Sequence, residues 1–117
     1  GLGVLEAALG GTLPVECFVA QSPSLWWGGG ERGRGEGTLM AELSRGERRL
    51  PDGLTLWCQV GEREVAMRPV VRRCAGLLDG GTSLVRFETY SGGHDVAWWR
   101  EGLLRALDEW CGRGEGA

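Results

Sequence analysis

The chain has 117 residues, an apolar fraction of 42%, a charged fraction of 25% and a formal net charge of −3. That length suits one domain or part of one, and the composition excludes a disordered or fibrous protein. No apolar run approaches the ~20 residues that span a bilayer, and the mild acidity argues against nucleic acid as a partner. All 13 basic residues are Arg, Lys, Asn and Ile are missing, and Gly reaches 22, a pattern that reads as GC-rich codon usage. The opening Gly1-Leu2-Gly3-Val4 has neither Met nor a basic leader, so a fragment or processed product is expected.

Apolar periodicity gives helices alternating with strands. Leu2, Leu5, Ala8 and Leu9 mark the tail of a helix closed by Gly10-Gly11, and Pro14 leads into a strand over Val15–Ala20. Residues 22–37 read as a Gly-rich loop, and Thr38 caps a short helix through Leu43 that Gly46 ends. Leu54–Val60 is a second strand, broken by Gly61. Residues 66–78 form a helix with Pro69 in its first turn and Met67, Val70, Val71, Cys74, Leu77 and Leu78 on one face. A turn at Asp79-Gly80-Gly81 leads to a third strand, Ser83–Tyr90. Asp95 caps a last helix, along which Val96, Trp99, Leu103, Ala106, Leu107 and Trp110 share a face; it closes near Cys111-Gly112. Trp98 falls off that face, and 113–117 is a frayed tail.

Strands separated by helices predict an α/β fold with a parallel sheet. Three strands make a narrow sheet with a raw edge, and Val19, Val60 and Phe87 are expected to lack cover there. Cys17, Cys58, Cys74 and Cys111 are widely spaced within apolar segments, no CxxC occurs, and the chain has one His. Buried free thiols are expected rather than a metal site or a disulfide framework. Gly28–Gly33 satisfies GxGxxG by letter, but seven residues separate it from the strand and Gly35 and Gly37 prevent an immediate helix, so it reads as a loop.

The strongest chemical signal is Tyr90-Ser91-Gly92-Gly93-His94-Asp95. It puts an imidazole after a Gly-Gly pair, at the carboxyl end of a parallel strand, where open α/β folds build their sites. Gly92-Gly93-His94-Asp95, with Trp99-Arg100 and Gly102-Leu103, resembles the histidine loop of the enterobactin (enterochelin) esterases and related esterases of the α/β-hydrolase fold. Gln21-Ser22-Pro23-Ser24-Leu25-Trp26-Trp27 resembles that family's Gln-Ser-Gly-Ser-aromatic-Trp-Trp segment. Val60-Gly61-Glu62-Arg63-Glu64 resembles its Gly-x-x-acid turn, and Gly1-Leu2 the residues after its Gly-x-Ser-x-Gly-Gly elbow. The blocks stand in family order and cover essentially the whole chain.

The resemblance implies the C-terminal portion of an α/β-hydrolase catalytic domain over 1–112, working as a Ser–acid–His hydrolase. His94 is then the general base, supported by Gly92, Gly93 and the capping Asp95, and Glu64 the acid that orients it. Glu62 stands two residues nearer the strand end as the rival acid, and some relatives manage with a Ser–His pair. No serine here sits in an elbow, so the nucleophile and the oxyanion hole are expected upstream of Gly1. Trp26 and Trp27 either stack on the aromatic rings of a catecholate substrate or wall the cleft. The implied substrate is a small-molecule ester, a ferric catecholate siderophore that brings its own iron, in the cytoplasm, with no cofactor and no resident metal. A general acyl or feruloyl-type esterase, or a non-catalytic remnant of the fold, are the competing readings.

Overall fold

The computed structural model describes residues 2–11, 16–29, 35–91 and 103–111. Residues 12–15, residues 30–34 of the Gly-rich loop, the segment 92–102 with the histidine block, and residues 112–117 lie outside them.

Strands β1 (Cys17–Gln21), β2 (Thr55–Gly61) and β3 (Leu84–Tyr90) form a parallel sheet in the order β1-β2-β3. Helix α1 (Leu2–Gly10) precedes β1, α2 (Thr38–Ser44) lies between β1 and β2, α3 (Arg68–Leu78) joins β2 to β3, and α4 covers 103–111. This is the expected α/β alternation. The chain leaves α1 through Gly11 at φ 65, a left-handed conformation that glycine adopts at no steric penalty.

Register fixes two unlike faces. Phe18 pairs with Leu56 and Leu56 with Val85; Ala20 pairs with Cys58 and Cys58 with Phe87. These side chains join Leu5, Ala8 and Leu9 of α1, Leu39, Met40 and Leu43 of α2, and Val71, Cys74, Ala75 and Leu78 of α3 in one core. The opposite face carries Val19, Trp57 and Arg86 in one row and Gln21, Gln59 and Glu88 in the next. Helix α4 meets this second face. Trp110 packs edge-on against Trp57 at 6.4 Å, and Glu109 pairs with Arg86 at 2.9 Å.

Four local expectations are corrected. The residue at the N-cap of α2 is Gly37, not Thr38, whose hydroxyl instead reaches the Gly28 carbonyl at 3.2 Å. Gly37 is required by close approach: a Cβ there would stand 2.0 Å from the Trp27 carbonyl oxygen. Leu77 is exposed, because the stripe that α3 buries is Val71, Cys74, Ala75 and Leu78. Val60 does not lack cover; it is fully buried beneath the helices, while Val19 and Phe87 are half-buried, the latter under the Arg72 guanidinium. On α4, Ala106 is buried but Leu103 and Leu107 are exposed.

The four thiols are free. Cys58 and Cys74 are buried as expected, Cys17 is half-buried, and Cys111 is exposed. Burial pushes the Cys58 thiol well above its ordinary value and the Cys74 thiol up to about 12.

Candidate active site at the strand ends

In a parallel sheet all carboxyl ends emerge on one edge, and here each strand delivers one polar side chain to it. β1 hands over to Ser22, β3 ends on Tyr90, and the turn after β2 carries Glu64. The Glu64 amide donates to the Gly61 carbonyl at 3.0 Å, and this tight turn folds the carboxylate back onto the Gly61 amide at 2.7 Å. The two acids that the sequence leaves as rivals thereby part company. Glu62 is exposed, whereas Glu64 is buried.

Three polar groups converge on one carboxylate oxygen. The Ser22 hydroxyl donates to Glu64 Oε2 at 2.7 Å, the Gly61 amide reaches the same atom, and the Tyr90 hydroxyl stands 3.3 Å away. Ser22 Oγ and the Tyr90 hydroxyl are 2.8 Å apart. Since the serine proton is committed to the carboxylate, the tyrosine is the donor between the two hydroxyls. A relay therefore runs from Tyr90 through Ser22 to Glu64, and hydrogen bonds that end on a carboxylate are about twice as strong as neutral ones. Ser22 is 3% and Tyr90 1% exposed, so water does not compete for these groups.

Ser22 holds a left-handed backbone, φ 45, which for a residue with a Cβ costs about 1–2 kcal/mol. Its amide extends the sheet ladder by donating to the Gln59 carbonyl at 2.7 Å. One row below, Gln21 donates to Gln59 and Gln59 to Glu88, each at 2.9 Å, forming a polar ladder across all three strands. Arg105 of α4 caps that ladder, donating to the Thr89 carbonyl at 3.3 Å and standing 3.9 Å from Glu88. Among the described residues no buried side-chain polar atom lacks a hydrogen-bond partner.

Trp26 and Trp27 stack obliquely, ring centres 5.8 Å apart, and face different surroundings. Trp26 is half-buried beside Pro23, Met67 and Val70, close to the helix that follows Glu64. Trp27 is 64% exposed and lines a groove of about 260 Å³ with Ser24, Thr38 and Glu42. His94, Gly92, Gly93 and Asp95 lie outside the described residues. Sequence reading missed Ser22 and Tyr90 as a site pair. Ser22 stood only within a matched block, and Tyr90 only as the end of a strand. No group of three or more metal-binding side chains occurs among the described residues, and none of their helices is long and apolar enough to cross a membrane.

The parallel α/β fold of this chain matches that of the enterobactin esterase structures. Along nearly its whole length the chain is similar to enterobactin esterases. It is 32% identical over 111 residues to the iron(III) enterobactin esterase of Escherichia coli O6:H1, and 32% identical over 113 residues to that of Escherichia coli K12. Each alignment covers 94% of this chain and 27% of the relative, so the chain spans about a quarter of their length. The crystal structure of the Shigella flexneri enterobactin esterase in the presence of enterobactin matches 91% of this chain with a TM-score of 0.76 at 30% identity, using 26% of its own length. The Salmonella typhimurium ferric enterobactin esterase covers 92% of the chain with a TM-score of 0.71 at 27% identity. No family model matches the sequence.

Proposed function

We propose that this chain carries the acid and the base of a Ser–acid–His ester hydrolase, Glu64 and His94, as the C-terminal portion of an α/β-hydrolase domain over 1–112. The nucleophilic serine and the oxyanion hole then lie upstream of Gly1 in the intact protein. The observation that carries this reading is the state of Glu64: a carboxylate held by the Ser22 hydroxyl and the Gly61 amide, with the Tyr90 hydroxyl beside them, at the carboxyl edge of the sheet, and Glu62 out in solvent. His94 follows the buried Tyr90 by four residues in the sequence.

In this mechanism His94 takes the serine proton as general base and returns it to the leaving alcohol. Glu64 orients the imidazole and stabilises its protonated form. The substrate is an ester of a catecholate siderophore, with its iron part of the cargo, cleaved in the cytoplasm. Support comes from the relatives' names and from the Shigella flexneri enzyme crystallised in the presence of enterobactin and of 2,3-dihydroxy-N-benzoyl-serine. Trp27, with its open indole face, suits stacking on a catechol ring, and Trp26 backs it from the acid side. The same exposed indole would also accept a phenolic acyl group, which keeps a feruloyl-type ester as the second substrate reading.

The test has two arms. In the intact protein, His94→Ala is expected to lower kcat on ferric enterobactin by about 10³-fold or more. Residues 1–117 alone are expected not to turn over p-nitrophenyl acetate. Turnover by the 117-residue chain that a serine-directed phosphonate abolishes would place the nucleophile inside it and overturn the reading. So would a His94→Ala enzyme within tenfold of the parent. A feruloyl ester cleaved faster than ferric enterobactin would reassign the substrate.

A further inference from the structure

We propose that Ser22 is a positioning residue for the hydrolytic reaction: its hydroxyl, driven by Tyr90, holds the Glu64 carboxylate in the orientation the base needs. The proposal rests on the reading of Glu64 as the acid.

Its starting point is an anomaly in the backbone. At φ 45 glycine is the undemanding residue, yet the position holds a serine that is 3% exposed and followed by the buried Pro23. The Ser22 amide is used by the sheet, through the Gln59 carbonyl, and glycine would make that bond equally well. Only the side chain is left to account for the choice. Its oxygen sits 2.7 Å from Glu64 Oε2 and 2.8 Å from the Tyr90 hydroxyl, so it joins groups brought by all three strands. The left-handed turn is what sends the hydroxyl across the strand ends. A strained residue over-determined by its surroundings is a recognised mark of a functional position.

The two bonds to Glu64 come from different directions. The Gly61 amide reaches Glu64 Oε2 from its own turn, and the Ser22 hydroxyl reaches the same oxygen from the end of β1, so the carboxylate is held from two different strands. The serine bond, backed by the phenol, sets the angle at which the carboxylate faces the strand ends. The ladder Gln21–Gln59–Glu88 beneath keeps the three strand ends in lateral register, so Ser22 and Tyr90 cannot drift apart.

Glycine at this position removes the hydroxyl and relaxes the backbone together, which separates the two roles. The intact protein would be prepared with Ser22→Gly, Tyr90→Phe, Glu64→Gln and the two double variants carrying Glu64→Gln, and kcat and KM measured on p-nitrophenyl acetate. Ser22→Gly is expected to reduce kcat by about 10–100-fold, the range of a hydrogen bond to a charged group, with KM within twofold and an undiminished Tm. Tyr90→Phe is expected to reduce kcat by about 3–10-fold, since it acts through the serine. Neither change should lower kcat further on the Glu64→Gln background, because both act through the carboxylate. A Ser22→Gly enzyme within twofold of the parent, or one whose loss multiplies fully with Glu64→Gln, would overturn the positioning role. If Ser22→Gly does not fold, the Tyr90→Phe cycle decides by the same criterion. If Glu64→Gln is itself silent, the acid assignment fails first and the proposal with it.

Discussion

On one face of the sheet Leu56, Cys58 and Val60 are fully buried under α1, α2 and α3; on the other, the alternate residues of the same strand are Trp57 and Gln59. Both faces of β2 are dry, yet they do different work. The first is aliphatic and holds the layers together by area removed from water. The second is a ladder of amides and carboxylates under α4, and at its upper end stands the Ser22–Glu64–Tyr90 cluster. Polar groups in a closed interior tolerate few alternative arrangements, because an unpaired one is expensive to bury. The comparison teaches that stability and site geometry are drawn from opposite sides of the same three strands.

Mutations on the two faces should therefore separate. In the intact protein, Leu56→Ala is expected to lower unfolding free energy by about 2–5 kcal/mol in urea titrations, by lost burial and a residual cavity. Gln59→Leu is nearly isosteric but strips Gln21 and Glu88 of a partner, and is expected to cost less, about 1–3 kcal/mol. It should disturb kcat more than Leu56→Ala does. The reverse ranking in kcat would break the division between the faces.

The thiols sharpen the same contrast with a smaller effect. Cys58 and Cys74 belong to the aliphatic core, and burial raises both above the ordinary 9.0, Cys74 to about 12. A thiol whose folded value lies above its unfolded value favours the native state fully below about pH 9. That contribution is lost as pH climbs from there to about 12. A disulfide reagent at pH 8 should accordingly titrate Cys111 at once and Cys17 more slowly, with Cys58 and Cys74 reacting only after denaturation. Four thiols reacting together in the native protein would show that the first face is not closed.

Much of the fold is legible because periodicity reports burial directly. The Leu54–Val60 run, the Val71-Cys74-Leu78 stripe and the alternation before Tyr90 fall where β2, α3 and β3 stand. Leu77 misleads because it borders a stripe only one turn wide, and Thr38 because a hydroxyl at a helix start need not cap it. The two faces of β2 are not legible at all: a strand buried on both sides reads as one apolar run, and Gln59 within it gives no hint of its partners. The site is half legible. The Gly-x-x-acid resemblance favours Glu64 over Glu62, and the turn that folds Glu64 onto the Gly61 amide separates their surroundings, one buried and one exposed. Ser22 and Tyr90 lie 42 and 26 positions from Glu64, a separation that no local pattern spans.

The central claim, that the carboxylate held at the strand ends is the acid of a hydrolase, is tested most directly by exchanging the two rival acids one at a time. In the intact protein, kcat for ferric enterobactin would be measured for Glu64→Gln and Glu62→Gln beside the parent. Glu64→Gln is expected to lower kcat by about 10²-fold, less than the loss of the base. Glu62→Gln, on an exposed side chain, should stay within twofold. A Glu62→Gln enzyme more damaged than Glu64→Gln would contradict the account.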